Sequence, residues 1–408
     1  MYPRTFSLLL ILFGATLLTA QNPASQSPGD SSAPAKTQTP PAKSGNDSDS
    51  MKKEFNPPST NYPKDLNGRG PEFFAREARE SNDPSIREAA MRTLVVFGPP
   101  ARKFCGSAII HGLTQDKDLS VRMAALYALQ NLGLDEDKDI ETAIKTVCEM
   151  LLSPQMYTRY EATLAIASVG SKAKKEALDK LIKLSDKTMP SWQLRRAAVA
   201  AIGRVGYDDG KGFPDAMALH SLILACNDSS YVVRKEAIQS LIILAKTTVP
   251  AVDSATVVRT LINRVKEEKD AGTATWARAA IVWYEGPKLK ADNPHLVALI
   301  KQLKDSNPIQ RYEAYFGLGT AGRYIGMKVK DLMEAVEQEK EDSNVGMGVW
   351  ALGNLGAAGE PALPLLNRIA STHKNEDVKR AANDAIKYIN ALKGTSPTTP
   401  EKKDPKKN

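Results

Sequence analysis

Apolar and polar positions along most of this chain follow the period of a helix, and the pattern itself recurs. Residues 121–133, VRMAALYALQNLG, show it most plainly. With Arg122 as position zero, Ala125 falls at plus three, Leu129 at plus seven and Gly133 at plus eleven. Steps of three, four and seven keep side chains on one face of a helix. The same columns recur around Arg87 (Ala90, Leu94, Gly98), Arg159 (Ala162, Ile166, Gly170), Arg195 (Ala198, Ile202, Gly206) and Arg311 (Ala314, Leu318, Gly322). Looser copies sit at Arg234, Val345 and Lys379, and a worn one at Thr275. Position zero therefore falls at residues 87, 122, 159, 195, 234, 275, 311, 345 and 379, a spacing of 34 to 41 residues.

Each column has a mechanical reason. Alanine at plus three admits a neighbouring helix closely, and Leu or Ile at plus seven fills the layer between helices. Glycine at plus eleven accepts the left-handed conformation that commonly ends a helix. Asp83-Pro84, Ser153-Pro154 and Asn307-Pro308 read as helix starts, a capping residue before a proline in the first turn. A second helical pattern lies between the first set, at 101–113, 139–152, 173–184, 216–226, 255–265, 295–303 and 361–369. Each unit is then a helical hairpin, which cannot bury both faces alone, so the units must stack.

The pattern V-R-x-x-A-x-x-A-L-x-x-L-G in the second helix resembles that of the HEAT-repeat family, in a short-unit bacterial form. Val121-Arg122, Ala125, Ala128-Leu129 and Leu132-Gly133 carry the resemblance best, which extends over about residues 71–392. The competing tetratricopeptide pattern wants a W-x-x-L-G-x-x-Y run per unit, and none recurs. The resemblance implies an all-α, right-handed α-solenoid of about nine stacked hairpins. It also implies a structural role for Arg87, Arg122, Arg159, Arg195, Arg234 and Arg311, each guanidinium binding a carboxylate or carbonyl of the adjoining repeat. A row of anion-binding arginines is the other reading of that column.

Outside the array the composition changes. Residues 1–20 read as a signal peptide: Arg4 supplies the basic start, 6–18 the apolar run, and Ala20 a small residue before the cut. The run is short for a membrane span, so no transmembrane span is expected after cleavage, although an uncleaved anchor is the second reading. Residues 21–65, rich in Pro, Ser, Thr and Lys, cannot bury enough surface to repay ordering and read as a disordered linker. The solenoid takes 66–392, and 393–408 form a basic tail. The expected location is periplasmic or secreted. The formal charge of +8 drops by Arg4 to +7 on signal removal, too small an excess over this length for a nucleic-acid surface. Cys105, Cys148 and Cys226 lie on first helices and read as small buried apolar residues.

The chemistry inventory is thin. The four histidines, His111, His220, His295 and His373, form no metal-spaced pair, and no Cys-x-x-Cys, nucleophile elbow or phosphate loop occurs. No enzyme, cofactor or metal site is expected. Residues 205–215, VGYDDGKGFPD, carry Asp208, Asp209 and Asp215 but lack the calcium-loop spacing, and read as an elongated turn. Residues 346–359 are rich in glycine, which suits close helix packing.

The sharper signal is aromatic. Positions minus three, plus one and plus five share one side of the second helix, and hold Tyr127, Tyr160, Trp192, Tyr231, Trp276, Tyr312, Phe316 and Trp350. Arg196 and Lys235 interleave with them. Either these rings line an inward groove as binding anchors, or they wedge between successive second helices as core. The favoured expectation is a non-catalytic extracytoplasmic scaffold gripping a protein or peptide. The alternatives are a HEAT-like lyase-type enzyme or enzyme subunit, and a module binding polysaccharide or another polyanion.

Overall fold

The computed structural model describes residues 62–208, 213–245 and 254–393. The signal peptide, nearly all of the linker, the basic tail and Asp209 lie outside the described residues.

Nine helical hairpins follow one another in the described residues. They are α1 (Pro71–Glu80) with α2 (Pro84–Val96), α3 (Arg102–Thr114) with α4 (Leu119–Leu132), and α5 (Asp137–Met150) with α6 (Met156–Val169). Next come α7 (Lys174–Ser185) with α8 (Trp192–Val205), α9 (Ala216–Ala225) with α10 (Tyr231–Ala245), and α11 (Ser254–Glu267) with α12 (Ala271–Glu285). The last three are α13 (Pro294–Gln302) with α14 (Pro308–Ala321), α15 (Val329–Gln338) with α16 (Asp342–Asn354), and α17 (Leu363–Thr372) with α18 (Glu376–Leu392). Odd-numbered helices are the first of each pair and even-numbered helices the second. Every even helix packs against the even helix before and after it. The odd row is closely packed only from α1 to α9. This is an all-α solenoid, and its even row is the continuous seam.

The columns explain that seam. Ala125, Ala162, Ala198, Ala237, Ala314 and Ala382 are all fully buried, so even helices approach backbone to backbone. Leu129, Ile166, Ile202, Leu241, Leu318 and Leu352 fill the layer between them and are at most 1% exposed. Gly133 ends α4 at φ 71°, in the left-handed region, as its column predicts. Gly206 departs from the column with φ −73°, because the chain leaves α8 into a two-residue antiparallel ribbon, β1 (Tyr207–Asp208) with β2 (Phe213–Pro214). The elongated turn at 205–215 is therefore in part a hairpin. Its Asp215 caps α9, accepting from the Met217 and Ala218 amides.

Helix starts follow local chemistry with one correction. Asp83 and Asn307 cap α2 and α14 as expected, with Pro84 and Pro308 in the first turn. Ser153-Pro154 does not open α6, which begins at Met156 with Gln155 as its N-cap. The Ser153 hydroxyl accepts from the Gln155 amide at 3.2 Å, ahead of the position from which it could cap the helix. The glycines of α14 and α16 sit where helices touch. A Cβ on Gly319 would lie 2.3 Å from the Trp350 ring, and one on Gly348 2.4 Å from Val336.

The six column arginines divide. Arg87, Arg195, Arg234 and Arg311 each grip a carboxylate of the next hairpin through Nε and Nη2: Asp116, Asp228, Glu268 and Glu339. Arg122 and Arg159 grip none, and their buried Nε atoms have no acceptor. The worn sixth unit also shifts register. Asp270 caps α12 as Asp83 caps α2, which puts the first turn in register with Ala274, while the C-capping Gly286 keeps the register of Thr275.

Cys105, Cys148 and Cys226 are buried free thiols. Burial pushes them up to about 12, 11 and 12, respectively.

Candidate binding surface

The aromatic stripe splits into two halves with different roles. In the C-terminal half Trp276 and Phe316 are core. Trp276 on α12 is 7% exposed and Phe316 on α14 8%. Their centroids lie 4.8 Å apart, and Phe316 stacks in turn on Trp350 of α16 at 5.2 Å. The three rings form a wedge through successive even helices, so Trp276 and Phe316 are not binding anchors. Trp350 is half-buried by the same stack, and its Nε1 is buried without an acceptor. Tyr312 is half-buried, and burial pushes its hydroxyl well above the ordinary tyrosine range. The physical reason for the wedge is bulk meeting bulk. Three neighbouring units carry a ring at adjoining positions, and rings 4.5–7 Å apart gain from tilted or offset contact.

In the N-terminal half the rings reach solvent. Tyr127 on α4 is 38% exposed and Tyr231, the first residue of α10, 47%. Tyr160 on α6 and Trp192, the first residue of α8, are half-buried. Tyr157, also on α6, is 62% exposed and lies outside the predicted stripe. It sits at minus two, between the columns that periodicity selects, and its only sequence signal is an aromatic residue in the first turn of an even helix.

Charged side chains tie these rings into one surface. The Arg92 guanidinium of α2 lies over the Tyr127 ring, 5.9 Å from its centroid, and bonds Glu88 at 2.8 Å. Burial raises the Glu161 carboxyl above its ordinary range against the opposing pull of Tyr157 and Arg92. Burial also raises the Tyr160 hydroxyl, with Glu161, Arg196 and Glu236 close enough to bear on it. Arg92 of α2 thus meets Tyr127 of α4, and Arg196 of α8 meets Glu236 of α10.

The interleaved basic residues are not free. Arg196 donates to Glu236 of the next unit at 3.0 Å, and Lys235 pairs with Glu313 two units on. Both pairs are largely buried. The expected aromatic-basic track is thus an aromatic track beside internally neutralised ion pairs.

A larger concavity, about 630 Å3, opens on the odd row between α7 and α9. It gathers His220 with Asp186 and Asp228, but both carboxylates have structural work. Asp228 holds Arg195 at 2.7 Å, and Asp186 accepts from the Thr188 amide and hydroxyl. Among the described residues no cluster of three or more His, Cys, Asp or Glu could hold a metal ion, and no helix is long and apolar enough to cross a membrane.

No curated protein matches the sequence. Similar solved structures include importin beta in an ammonium sulfate condition, at 14% identity and TM-score 0.38, with 79% of this chain and 52% of that chain covered. The chain thus spans about half the length of that protein. The Escherichia coli protein YibA is similar at 17% identity and TM-score 0.41, covering 74% of this chain and 97% of its own. Yeast importin-beta follows at 14% and 0.34, with 79% and 57% covered. Residues 296–387 match the family described as HEAT repeats. The same stack of helical hairpins continues from that segment back to Pro71.

Proposed function

We propose that this protein is a non-catalytic scaffold outside the cytoplasm that holds a protein or peptide partner against the even-helix face of its N-terminal units. One observation carries the reading: Tyr127, Tyr157 and Tyr231 stand exposed on the even helices of those units. Tyrosine anchors interfaces because it brings a large rigid apolar body and a polar tip at small entropic cost. The extracytoplasmic location rests on the apolar run at residues 6–18 and the linker composition behind it.

The polyanion alternative loses its basic track to Glu236 and Glu313. A neutral glycan would use the same exposed rings. The lyase-type alternative rests on the α7–α9 concavity, whose acids are bonded elsewhere. Capture from the native envelope separates these. The full chain should retain a protein, and Tyr157→Ala with Tyr231→Ala should lose it while the fold stays intact. Capture unchanged in that double variant, or capture of glycan alone, would defeat the proposal.

A further inference from the structure

The arginine column repeats a two-sided joint. In four units the residue six places before position zero sends its side chain back to the arginine of the preceding hairpin. Asp116 stands six before Arg122, Asp228 before Arg234, Glu268 before Ala274 and Glu339 before Val345, and each fills the fork of Arg87, Arg195, Arg234 and Arg311 in turn. The backbone carbonyl at the same place accepts Nη1 of its own hairpin's arginine, as at Arg87 to Ser81, Arg195 to Met189 and Arg311 to Asp305.

Two consecutive hairpins keep the arginine and lose the acid. The six-back place is Ser153 for the hairpin after Arg122 and Met189 for the hairpin after Arg159. Neither side chain carries a carboxylate. Arg159 still donates Nη1 to the Ser153 carbonyl at 3.0 Å, so its guanidinium is anchored as the paired ones are. Its Nε is buried and has no acceptor, and the same holds for Arg122. A buried cationic donor without an acceptor is costly and strongly favours any group that completes it.

The surroundings show where that group enters. Beside Arg122 a pocket of about 300 Å3 opens, lined by Leu119, Ser153, Pro154, Gln155 and Thr158 among others. Glu149 is on its rim but gives Arg122 Nε no acceptor. Leu119, Met150 and Pro154 give the Arg122 pocket an apolar part, and Leu119 is 41% exposed. A guanidinium opening into a pocket with apolar walls is an anchor of the kind protein interfaces use.

We propose that Arg122 and Arg159 bind carboxylates supplied by the partner: aspartate or glutamate side chains of a polypeptide segment whose flanking residues are apolar. The partner would complete, in trans, the two rungs that this chain leaves without an acid. The inference rests on the scaffold reading above and names the chemistry of its partner. The four intact rungs define the ligand as a planar carboxylate taken by two parallel N–H bonds, and the apolar rim adds neighbours that a free inorganic anion does not have.

The test uses the full chain and a pair of probes, the peptides Ac-Leu-Asp-Leu-NH2 and Ac-Leu-Asn-Leu-NH2, at fixed ionic strength. The Nε–H resonances of the arginines are followed by NMR and assigned with Arg122→Lys and Arg159→Lys. The Asp peptide should move the Arg122 and Arg159 signals and leave those of Arg87 and Arg195 in place. The Asn peptide should move neither. Ser153→Asp with Met189→Glu supplies both acids in cis, and should raise Tm and weaken the Asp-peptide response at least fivefold. Equal shifts at all column arginines, equal response to the Asn peptide, or an undiminished response in the cis-acid variant would overturn the inference. If envelope capture fails but the Asp peptide still moves both signals, the scaffold reading falls and the carboxylate site stands. If capture succeeds but the Asp peptide moves neither signal, the scaffold reading stands and the carboxylate site falls.

Discussion

Lys235 of α10 and Glu313 of α14 meet across the whole of α12, with Nζ 2.5 Å from Oε1. The helix between them allows this because Gly272 lies beneath the carboxylate, and a Cβ there would stand 3.1 Å from Oε1. A side chain at 272 would lift one partner away. The pair thus links hairpins that are not neighbours in the stack. Both side chains keep some exposure, so the coupling should be modest, about 1 kcal/mol in a Lys235→Met, Glu313→Gln double-mutant cycle. Gly272→Leu should reduce that coupling to zero. A coupling that survives in the Gly272→Leu background would mean the two groups do not depend on the gap.

The Trp276–Phe316–Trp350 wedge is the core alternative of the aromatic stripe, and it predicts a stability cost. Phe316→Ala removes the middle ring of a buried stack and should destabilise by about 3–5 kcal/mol. Denaturant unfolding gives the value directly. A loss below about 1 kcal/mol would return these rings to the surface.

The Arg195–Asp228 rung is the most buried, with side chains 6% and 3% exposed. Burial alone would raise the Asp228 carboxyl, but the bonds from Arg195 and the Ser230 amide hold it below its ordinary range. Asp116 is lowered chiefly by its bond from Arg87. Glu268 and Glu339 are also lowered, with the arginine bonds overcoming their burial. A depressed folded-state pKa gives stability that is present above the unfolded value, about 4, and lost as pH falls through the folded one. The denaturation midpoint should therefore fall on acidification below about pH 4. Asp228→Asn should cost about 3–5 kcal/mol at neutral pH and flatten that acid slope. An unchanged slope would mean that this rung contributes nothing to acid sensitivity.

The three thiols give a local-opening probe. Burial raises Cys105, Cys148 and Cys226 far above neutral pH, so little thiolate exists and none is accessible. A disulfide reagent should label none in the folded protein and all three on unfolding. Rapid labelling of one under native conditions would locate a hairpin that opens on its own.

Much of the fold is readable in the sequence because the period is carried by residues with one mechanical job each. Ala125, Leu129 and Gly133 specify a buried seam and a helix end wherever their columns recur. The direction of the rings is harder. Periodicity fixes an angle around one helix but not the offset to its neighbour. Trp276, Phe316 and Trp350 meet in one stack from different columns, which the period of a single helix does not foretell. Tyr157 escapes for the mirror reason, being exposed from a position outside the chosen columns. The acids six places before position zero are legible as a column, since Asp116, Asp228, Glu268 and Glu339 recur there. Their absence at Ser153 and Met189 acquires meaning only beside the unpaired forks.

Site-specific photo-crosslinking tests most directly whether the N-terminal even-helix face binds a polypeptide. A photoreactive amino acid replaces Tyr157 or Tyr231 in one pair of full-length variants, and Trp350 or Leu224 in another, each expressed in the native host. Binding at that face predicts a protein adduct from 157 and 231, and none from 350 or from 224 on the odd row. Adducts from 350 or 224 with none from 157 and 231 would contradict it.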